Sequence, residues 1–374
     1  MTPEEVRDLA RREFLAGAGW GDATDAPLPG DASTRRYFRI RDGARTAMLM
    51  DQPQAAETPP CPTSATPAER VALGYNAVAR LAGADCARFI AAADYLRSRG
   101  LSAPGILAAD TRKGFVLLED LGDGLYTDVL ADDADEEALY AAAIDVLVRL
   151  HSTPKPDSLA DGMALYAYDE TALLAEADLM TEWFLPFALG RSARSEEVEA
   201  HRALWRKALA PLADSPKTFV HRDYHAQNLL WLPARSGVAR VGVIDFQDAV
   251  AGSRSYDLVS LLEDARRDVA PALRERMMAR YVGAMRAQGD ALDADAFAAE
   301  SAVIAAQRNA KIAGIFSRLA ARDGKRRYLS YLPRVWENLE RDLDHPLLRD
   351  LGDWYNRTIP REMRQARIIE GAGA

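Results

Sequence analysis

Phe219-Val220-His221-Arg222-Asp223-Tyr224-His225-Ala226-Gln227-Asn228 decides how this chain reads, together with Val243-Ile244-Asp245-Phe246 further along. In the first stretch a short apolar, β-like run delivers a carboxylate, Asp223, and an amide, Asn228, five residues later. In the second, another apolar run ends on a second carboxylate, Asp245, 17 residues after the Asn. Phosphoryl transfer from a nucleotide needs such a set. One Asp orients the attacking hydroxyl and accepts its proton, while an Asn and a second Asp hold Mg²⁺ against the phosphates. Hard cations prefer oxygen ligands, and Mg²⁺ takes only one or two carboxylates from a protein. With five histidines in the whole chain, a chance His-x-Asp-x-x-x-x-Asn is expected about 0.01 times or less.

The rest of the chain sets bounds on that chemistry. At 374 residues it has room for two domains. It is 48% hydrophobic and 28% charged, the composition of a globular protein with a sizeable core. A net charge of −9 argues against duplex DNA or an anionic membrane surface as a partner. The only cysteines are Cys61 and Cys86, so there is no disulfide framework, and the five histidines show no metal-ligand spacing with them. The N-terminus, MTPEEVRDLARREFL, lacks the apolar core of a signal peptide, and no run of ~18 apolar residues occurs. The expectation is a cytoplasmic monomer acting on a small molecule, with no nucleic-acid partner and no membrane.

Outward from the central stretch, residues 3–16 have helical periodicity. Tyr37-Phe38-Arg39-Ile40-Arg41 and Thr46-Ala47-Met48-Leu49-Met50 flank Asp42-Gly43, a hairpin signal. Residues 52–67 hold five prolines and are expected as a mobile loop, a candidate lid. A helix is expected over 85–99, with Asp85 as its N-cap and Gly100 as its stop. A buried strand follows at 115–118, and a glycine-bearing break at 119–124 marks the lobe boundary. Beyond it, helical periods cover about 135–151, 170–188, 195–212, 256–265, 271–287, 294–321 and 328–342. They are interrupted at 218–246 by strand-like runs. Trp183, Phe184, Phe187 and Trp205 read as core packing between helices. The fold class expected is α+β: a β-rich N-terminal lobe over 1–121 and a helical C-terminal lobe over 122–374.

The His-Arg-Asp…Asn and Ile-Asp-Phe pair resembles the catalytic loop and metal-binding motif of protein-kinase-like folds, closest to the aminoglycoside phosphotransferase branch of small-molecule kinases. The resemblance runs over about residues 20–265. It implies a bilobal kinase-like fold using ATP and Mg²⁺, with nucleotide binding in the N-terminal lobe. Asp223 would be the catalytic base, with Asn228 and Asp245 as Mg²⁺ ligands. His221 would pack the loop, and Asp257, at the start of a helix, would brace it; on the residues alone Asp257 reads equally as an N-cap. Arg222 receives no role. The adenine would hydrogen-bond backbone groups at Glu119 to Leu121. A narrower resemblance is to bacterial anomeric kinases for cell-wall amino sugars. It rests on Gly30-Asp31-Ala32-Ser33-Thr34-Arg35-Arg36-Tyr37-Phe38-Arg39, on Met50-Asp51-Gln52-Pro53, and on Lys311–Leu319 with Arg322-Asp323-Gly324-Lys325. It implies phosphorylation of the C1 hydroxyl of N-acetylmuramate and N-acetylglucosamine, in peptidoglycan recycling.

The chain departs from the kinase pattern in one respect. The strand 47–50 has no Lys and the helix 85–99 no Glu, although kinases pair the two over the phosphates. Arg35 and Arg36 are the cations on offer, with Ser33 and Thr34 as further donors. For the acceptor, Tyr224, His225, Gln247, Asp248, Arg308 and Lys311 are candidates, the last two as partners of a substrate carboxylate. Two alternatives stay open: a kinase for another hydroxyl (aminoglycoside, choline or an amino acid) and a non-catalytic kinase-like binding module.

Overall fold

The computed structural model describes residues 1–29, 35–53, 61–81, 85–132 and 134–365. Five antiparallel strands, all within the first third of the chain, form one sheet in the order β1-β2-β3-β5-β4. They are β1 (Thr24–Pro27), β2 (Arg36–Asp42), β3 (Arg45–Asp51), β4 (Ile106–Asp110) and β5 (Phe115–Glu119). The period-2 alternation of β2, β3 and β5 sorts their side chains onto two faces. Phe38, Ile40, Ala47, Leu49, Phe115 and Leu117 form one apolar layer, which Leu15 and Phe14 of the helix Pro3–Gly17 cover together with Trp20. Tyr37, Arg39, Met48 and Leu118 line a cavity on the other.

The N-terminal helix starts on a capping box between Thr2 and Glu5. It is anchored to the end of β3, where Asp51, fully buried, takes Arg7 at 2.6 Å, Arg36 at 3.0 Å and Arg11 at 3.8 Å. A buried carboxylate needs such partners to remain charged.

The remaining strands form two short pairs. β6 (Lys217–Val220) pairs with β9 (Val250–Ser253), and β7 (Leu229–Trp231) with β8 (Val241–Val243). The rest is mainly helical, including Glu136–His151, Pro271–Ala287, the 30-residue Ala294–Asp323, Leu332–Leu343 and Arg349–Thr358. Among the described residues no helix is long and apolar enough to cross a membrane. The chain divides into two compact units. One comprises Met1–Val146, Pro156–Tyr166 and Ala226–Ala249; the other comprises Leu147–Lys155, Ala167–His225 and Val250–Ala374. The division is discontinuous in sequence and so differs from a single break at 119–124.

Several local expectations need correction. The expected loop 52–67 is tethered at both ends. Gln52 and Cys61 are buried, with their amides on the carbonyls of Gly114 (2.8 Å) and Leu81 (2.9 Å); residues 54–60 lie outside the described ones. Pro67 opens a helix, Pro67–Leu73, started by a Thr66/Glu69 capping box. The edge strand β1 escaped notice because it is short, exposed and holds Asp25 and Pro27. The helix expected over 170–188 is three pieces: Glu170–Ala177, a π-turn Met180–Phe184, and Leu185–Leu189 with Pro186 in its first turn. There the long helix passes very close, since a Cβ on Gly314 would lie 2.5 Å from the Leu179 backbone. Phe184 and Trp205 are fully buried, with the Phe184 ring 4.9 Å from that of Trp336, so these two are core, while Trp183 and Phe187 are half-buried.

Candidate active site

In the first unit a cavity of about 350 Å³ opens beneath the polar-facing side of the sheet, within the size range of small-molecule pockets. Met48, Leu118, Leu121, Leu230, Ile244 and Phe246 supply apolar walls, and Phe246 stacks on Phe89 of the helix Cys86–Ser98 at 4.8 Å. Glu119, Asp120 and Leu121 form one edge. The Glu119 carboxylate is occupied by Arg235 (2.5 Å), the Gly105 amide (3.1 Å) and Arg97 (3.4 Å). Among the described residues nothing accepts from the Leu121 amide. Arg39 clamps this segment through Asp120 (3.0 Å) and Asp123 (2.7 Å).

Asn228 and Asp245 reach the same cavity. A single 3₁₀ turn, Ala226–Asn228, leads into β7, and the Ile244 amide donates to the Asn228 carbonyl at 3.1 Å as the chain leaves β8. Asp245 has φ +65°, a left-handed conformation uncommon for a side-chain-bearing residue and concentrated at functional sites. Its side chain is one-third exposed. Asn228 Nδ2 is 3.4 Å from Oδ2, Gln247 Nε2 donates to Oδ1 at 2.9 Å, and Arg35 Nη1 stands 3.4 Å from Oδ1. An amide and a carboxylate offer hard oxygen donors, a set that fits Mg²⁺ completed by phosphates and water. Among the described residues no group of three or more His, Cys, Asp or Glu forms an alternative metal cage. Of the two arginines, only Arg35 comes to Asp245. Arg36, its neighbour in extended chain, pairs with Asp51 and Glu4. Ser33 and Thr34 lie outside the described residues. Asp248 is 3.9 Å from Arg80 in the same unit.

The second unit holds the loop that carries Asp223. The two oxygens of Asp257, fully buried, accept the amides of His221 (2.6 Å) and Arg222 (2.9 Å). Asp257 is the third residue of the helix Ser255–Leu262, behind an N-cap at Arg254, so it is not the cap. Burial pushes its carboxyl up to about 7, against the pull of those two amides. Arg222 has φ +78°, and its guanidinium reaches Glu176 at 2.7 Å. Burial raises the Asp223 carboxyl, but His225, Lys311, Arg222 and His221 together bring it below its usual value.

Tyr224 is buried with its ring against His221, 5.7 Å between centroids. His225 is buried too, and desolvation lowers it to about 4. Arg308 donates to the Glu263 carbonyl at 3.3 Å. Lys311 is bonded to Glu176 at 2.9 Å and to the Tyr256 hydroxyl at 3.1 Å. Gln247, another of the acceptor candidates, stands beside Asp245 in the first unit. Sequence reasoning missed Glu176 altogether. No local pattern pointed to it, since Glu176 lies 46 residues before Arg222 in the chain.

Residues 24–292 match the phosphotransferase enzyme family. A Caulobacter vibrioides protein named N-acetylmuramate/N-acetylglucosamine kinase is 43% identical over 371 residues, 98% of this chain and 100% of that one. A Pseudomonas aeruginosa protein of the same name is 32% identical, covering 92% of this chain and 93% of that one. Among solved structures, a microcompartment-associated aminopropanol kinase superposes with a TM-score of 0.59 at 14% identity, over 92% of this chain and 98% of that one. An ADP-bound aminoglycoside phosphotransferase does so at 0.52 and 13%, over 90% and 98%. At such identities the structures speak for the fold, which is α+β and protein-kinase-like, with its sheet in the N-terminal region and helices dominating the C-terminal one.

Proposed function

The chain belongs to the phosphotransferase enzyme family and is a kinase; on that premise we propose that it phosphorylates the anomeric C1 hydroxyl of N-acetylmuramate and N-acetylglucosamine with ATP and Mg²⁺. The observation that carries the acceptor is the end-to-end likeness to the amino-sugar kinase of Caulobacter vibrioides. The resulting sugar 1-phosphate would feed peptidoglycan recycling in the cytoplasm, with the enzyme acting as a monomer.

In this reading residues 1–121 are the nucleotide-binding lobe and 122–374 the lobe with the catalytic loop, metal and acceptor sites. The adenine lies in the cavity bounded by Met48, Leu118 and Phe246, against the backbone of Glu119 to Leu121. Mg²⁺ held by Asn228 and Asp245 would neutralise charge on the phosphates. Arg35 takes the place of the absent third-strand Lys as the phosphate cation, a position its approach to Asp245 supports. Asp223 accepts the proton of the C1 hydroxyl as the new O–P bond forms at the γ-phosphorus and the β,γ-bridging bond breaks, releasing ADP. His221 and Asp257 hold the loop. In the second unit Tyr224, His225 and Arg308 are the proposed acceptor residues, with Arg308 suited to the muramate carboxylate; Gln247, also proposed, stands beside Asp245 in the first. Lys311, the other candidate for that carboxylate, is bonded to Glu176 and the Tyr256 hydroxyl.

The test is ADP release from ATP and Mg²⁺ with N-acetylmuramate, N-acetylglucosamine, kanamycin, choline and homoserine, with phosphorus NMR of the product. An anomeric phosphate formed from both amino sugars is the expected result. Turnover confined to kanamycin, choline or homoserine would overturn the acceptor but not the chemistry. ATP binding without turnover would favour a binding module.

A further inference from the structure

One wall of the cavity in the first unit has no part in the reading above. The carboxylates that line this cavity are Glu119, Asp120, Asp123, Asp128 and Asp245. Glu119 takes Arg235 at 2.5 Å and the Gly105 amide at 3.1 Å. Asp120 takes Arg39 at 3.0 Å and the Gly122 amide at 2.9 Å, and Asp123 takes Arg39 at 2.7 Å. Asp245 takes Gln247 and stands with Asn228 at the proposed Mg²⁺ site. Asp128 differs from these. Among the described residues it makes no ion pair, and its carboxylate accepts only from the Thr127 hydroxyl, at 3.4 Å.

Local structure keeps Asp128 out of other work. It is the third residue of the helix Tyr126–Ala131, whose N-cap is Leu125. In a capping box an acid at this position turns back onto the N-cap amide. Here the Leu125 amide donates instead to the Asp123 carbonyl at 2.8 Å. The start of the helix is also fixed in place. The Trp231 amide donates to the Gly124 carbonyl at 2.7 Å, and Leu125 bridges to Leu230. A Cβ on Gly124 would lie 2.7 Å from the Trp231 carbonyl oxygen, so this approach needs glycine. These bonds tie the segment that follows Glu119 to Leu121 onto β7, the strand that follows Asn228. Asp128 thus belongs to the wall that joins the proposed adenine edge to the proposed metal ligand.

A nucleoside triphosphate placed across those two ends runs base, ribose, phosphates. A carboxylate accepts hydrogen bonds and donates none, and it repels phosphate oxygens. With the adenine set against the backbone of Glu119 to Leu121, the donors left on the nucleotide are the ribose hydroxyls. We propose that Asp128 is the ribose-recognising residue of this cavity, accepting from the 2′- and 3′-hydroxyls so that the site prefers ribonucleotides to deoxyribonucleotides. The proposal rests on the nucleotide lying in this cavity.

Calorimetric titration of wild type and Asp128→Ala with ADP, 2′-deoxy-ADP and 3′-deoxy-ADP, each with Mg²⁺, tests it. Wild type should bind ADP about tenfold more tightly than either deoxy analogue. Asp128→Ala should weaken ADP by about tenfold and leave both analogues within about twofold, so that the preference disappears. A preference against one analogue alone, lost in the variant, also supports the proposal and identifies the hydroxyl. Asp128 is exposed, so the variant should keep the wild-type unfolding temperature. Equal affinity for all three ligands in the wild type, or a preference that survives in Asp128→Ala, overturns the proposal. Asp245→Gly judges the premise separately. If the Mg²⁺ dependence of ADP binding survives that change, the placement of the nucleotide fails and this proposal with it. If the dependence is lost while Asp128→Ala keeps the preference, the ribose assignment alone fails.

Discussion

Among the described residues four hold positive φ without being glycine, Leu81, Asp161, Arg222 and Asp245, and the last two lie in the motif region, at φ +78° and +65°. Their surroundings differ sharply. Around Arg222, Asp257 and Glu176 make charge-assisted bonds of 2.6 to 2.9 Å, nearly all out of water. Asp245 has a third of its side chain exposed, with Asn228 Nδ2 and Arg35 Nη1 each at 3.4 Å. The first site is closed and its bonds are already made. The second is partly open to solvent, as the proposed Mg²⁺ site requires. Positive φ in the first is held by buried charge-assisted bonds, whereas the second stays accessible to solvent.

The sharpest way to break this contrast is Asp223→Asn, which removes the proton acceptor but leaves the closed scaffold in place. We expect kcat to fall on the order of 10³-fold with an unchanged unfolding temperature; near-native turnover removes Asp223 as base. Asp257→Ala should instead strike the fold. Two buried amides lose their acceptor, at a cost of roughly 2–4 kcal/mol in chemical denaturation. If stability holds, the loop is not braced as described.

Asp245→Gly is the counterpart on the open side. Glycine accepts φ +65°, so stability should stay within about 1 kcal/mol of wild type, while the Mg²⁺ dependence of nucleotide binding disappears. Binding that still responds fully to Mg²⁺ in a calorimetric titration would contradict the metal assignment.

Acid should loosen the closed side. Burial lowers His151 and His201 to about 3 and His225 to about 4, so the unfolded chain takes up protons that the folded one excludes. Stability is then present above pH 6.5 and is lost as pH falls toward 4, by up to about 1.4 kcal/mol per histidine per pH unit. His201→Gln should flatten that slope in thermal unfolding; an unaltered slope means this histidine does not carry it. The smallest effect belongs to Arg39→Ala. It cuts a partly exposed clamp on Asp120 and Asp123 and should raise the KM for ATP by no more than about fivefold.

Much of this was legible because the signals are local. The alternation from Tyr37 to Met50 specifies a half-buried hairpin whatever surrounds it, and the actual register, Phe38 opposite Leu49, follows. The catalytic string spans ten residues, so its chemistry is read along the chain. Arg35 and Arg36 show where such reading stops. Adjacent residues of an extended chain point to opposite faces, and the sequence alone does not say which face meets Asp245 and which meets Asp51.

By itself, then, the sequence determined the α+β class and the family, and it put forward the set Asp223, Asn228 and Asp245. Periodicity and short-range spacing are properties of the chain before it folds. Only the tertiary structure decided how the charges pair. Glu176 is 46 residues from Arg222, and Lys311 comes from a helix still further along. The pairing of these buried ions follows from which helices pack against the loop, and no local pattern encodes that.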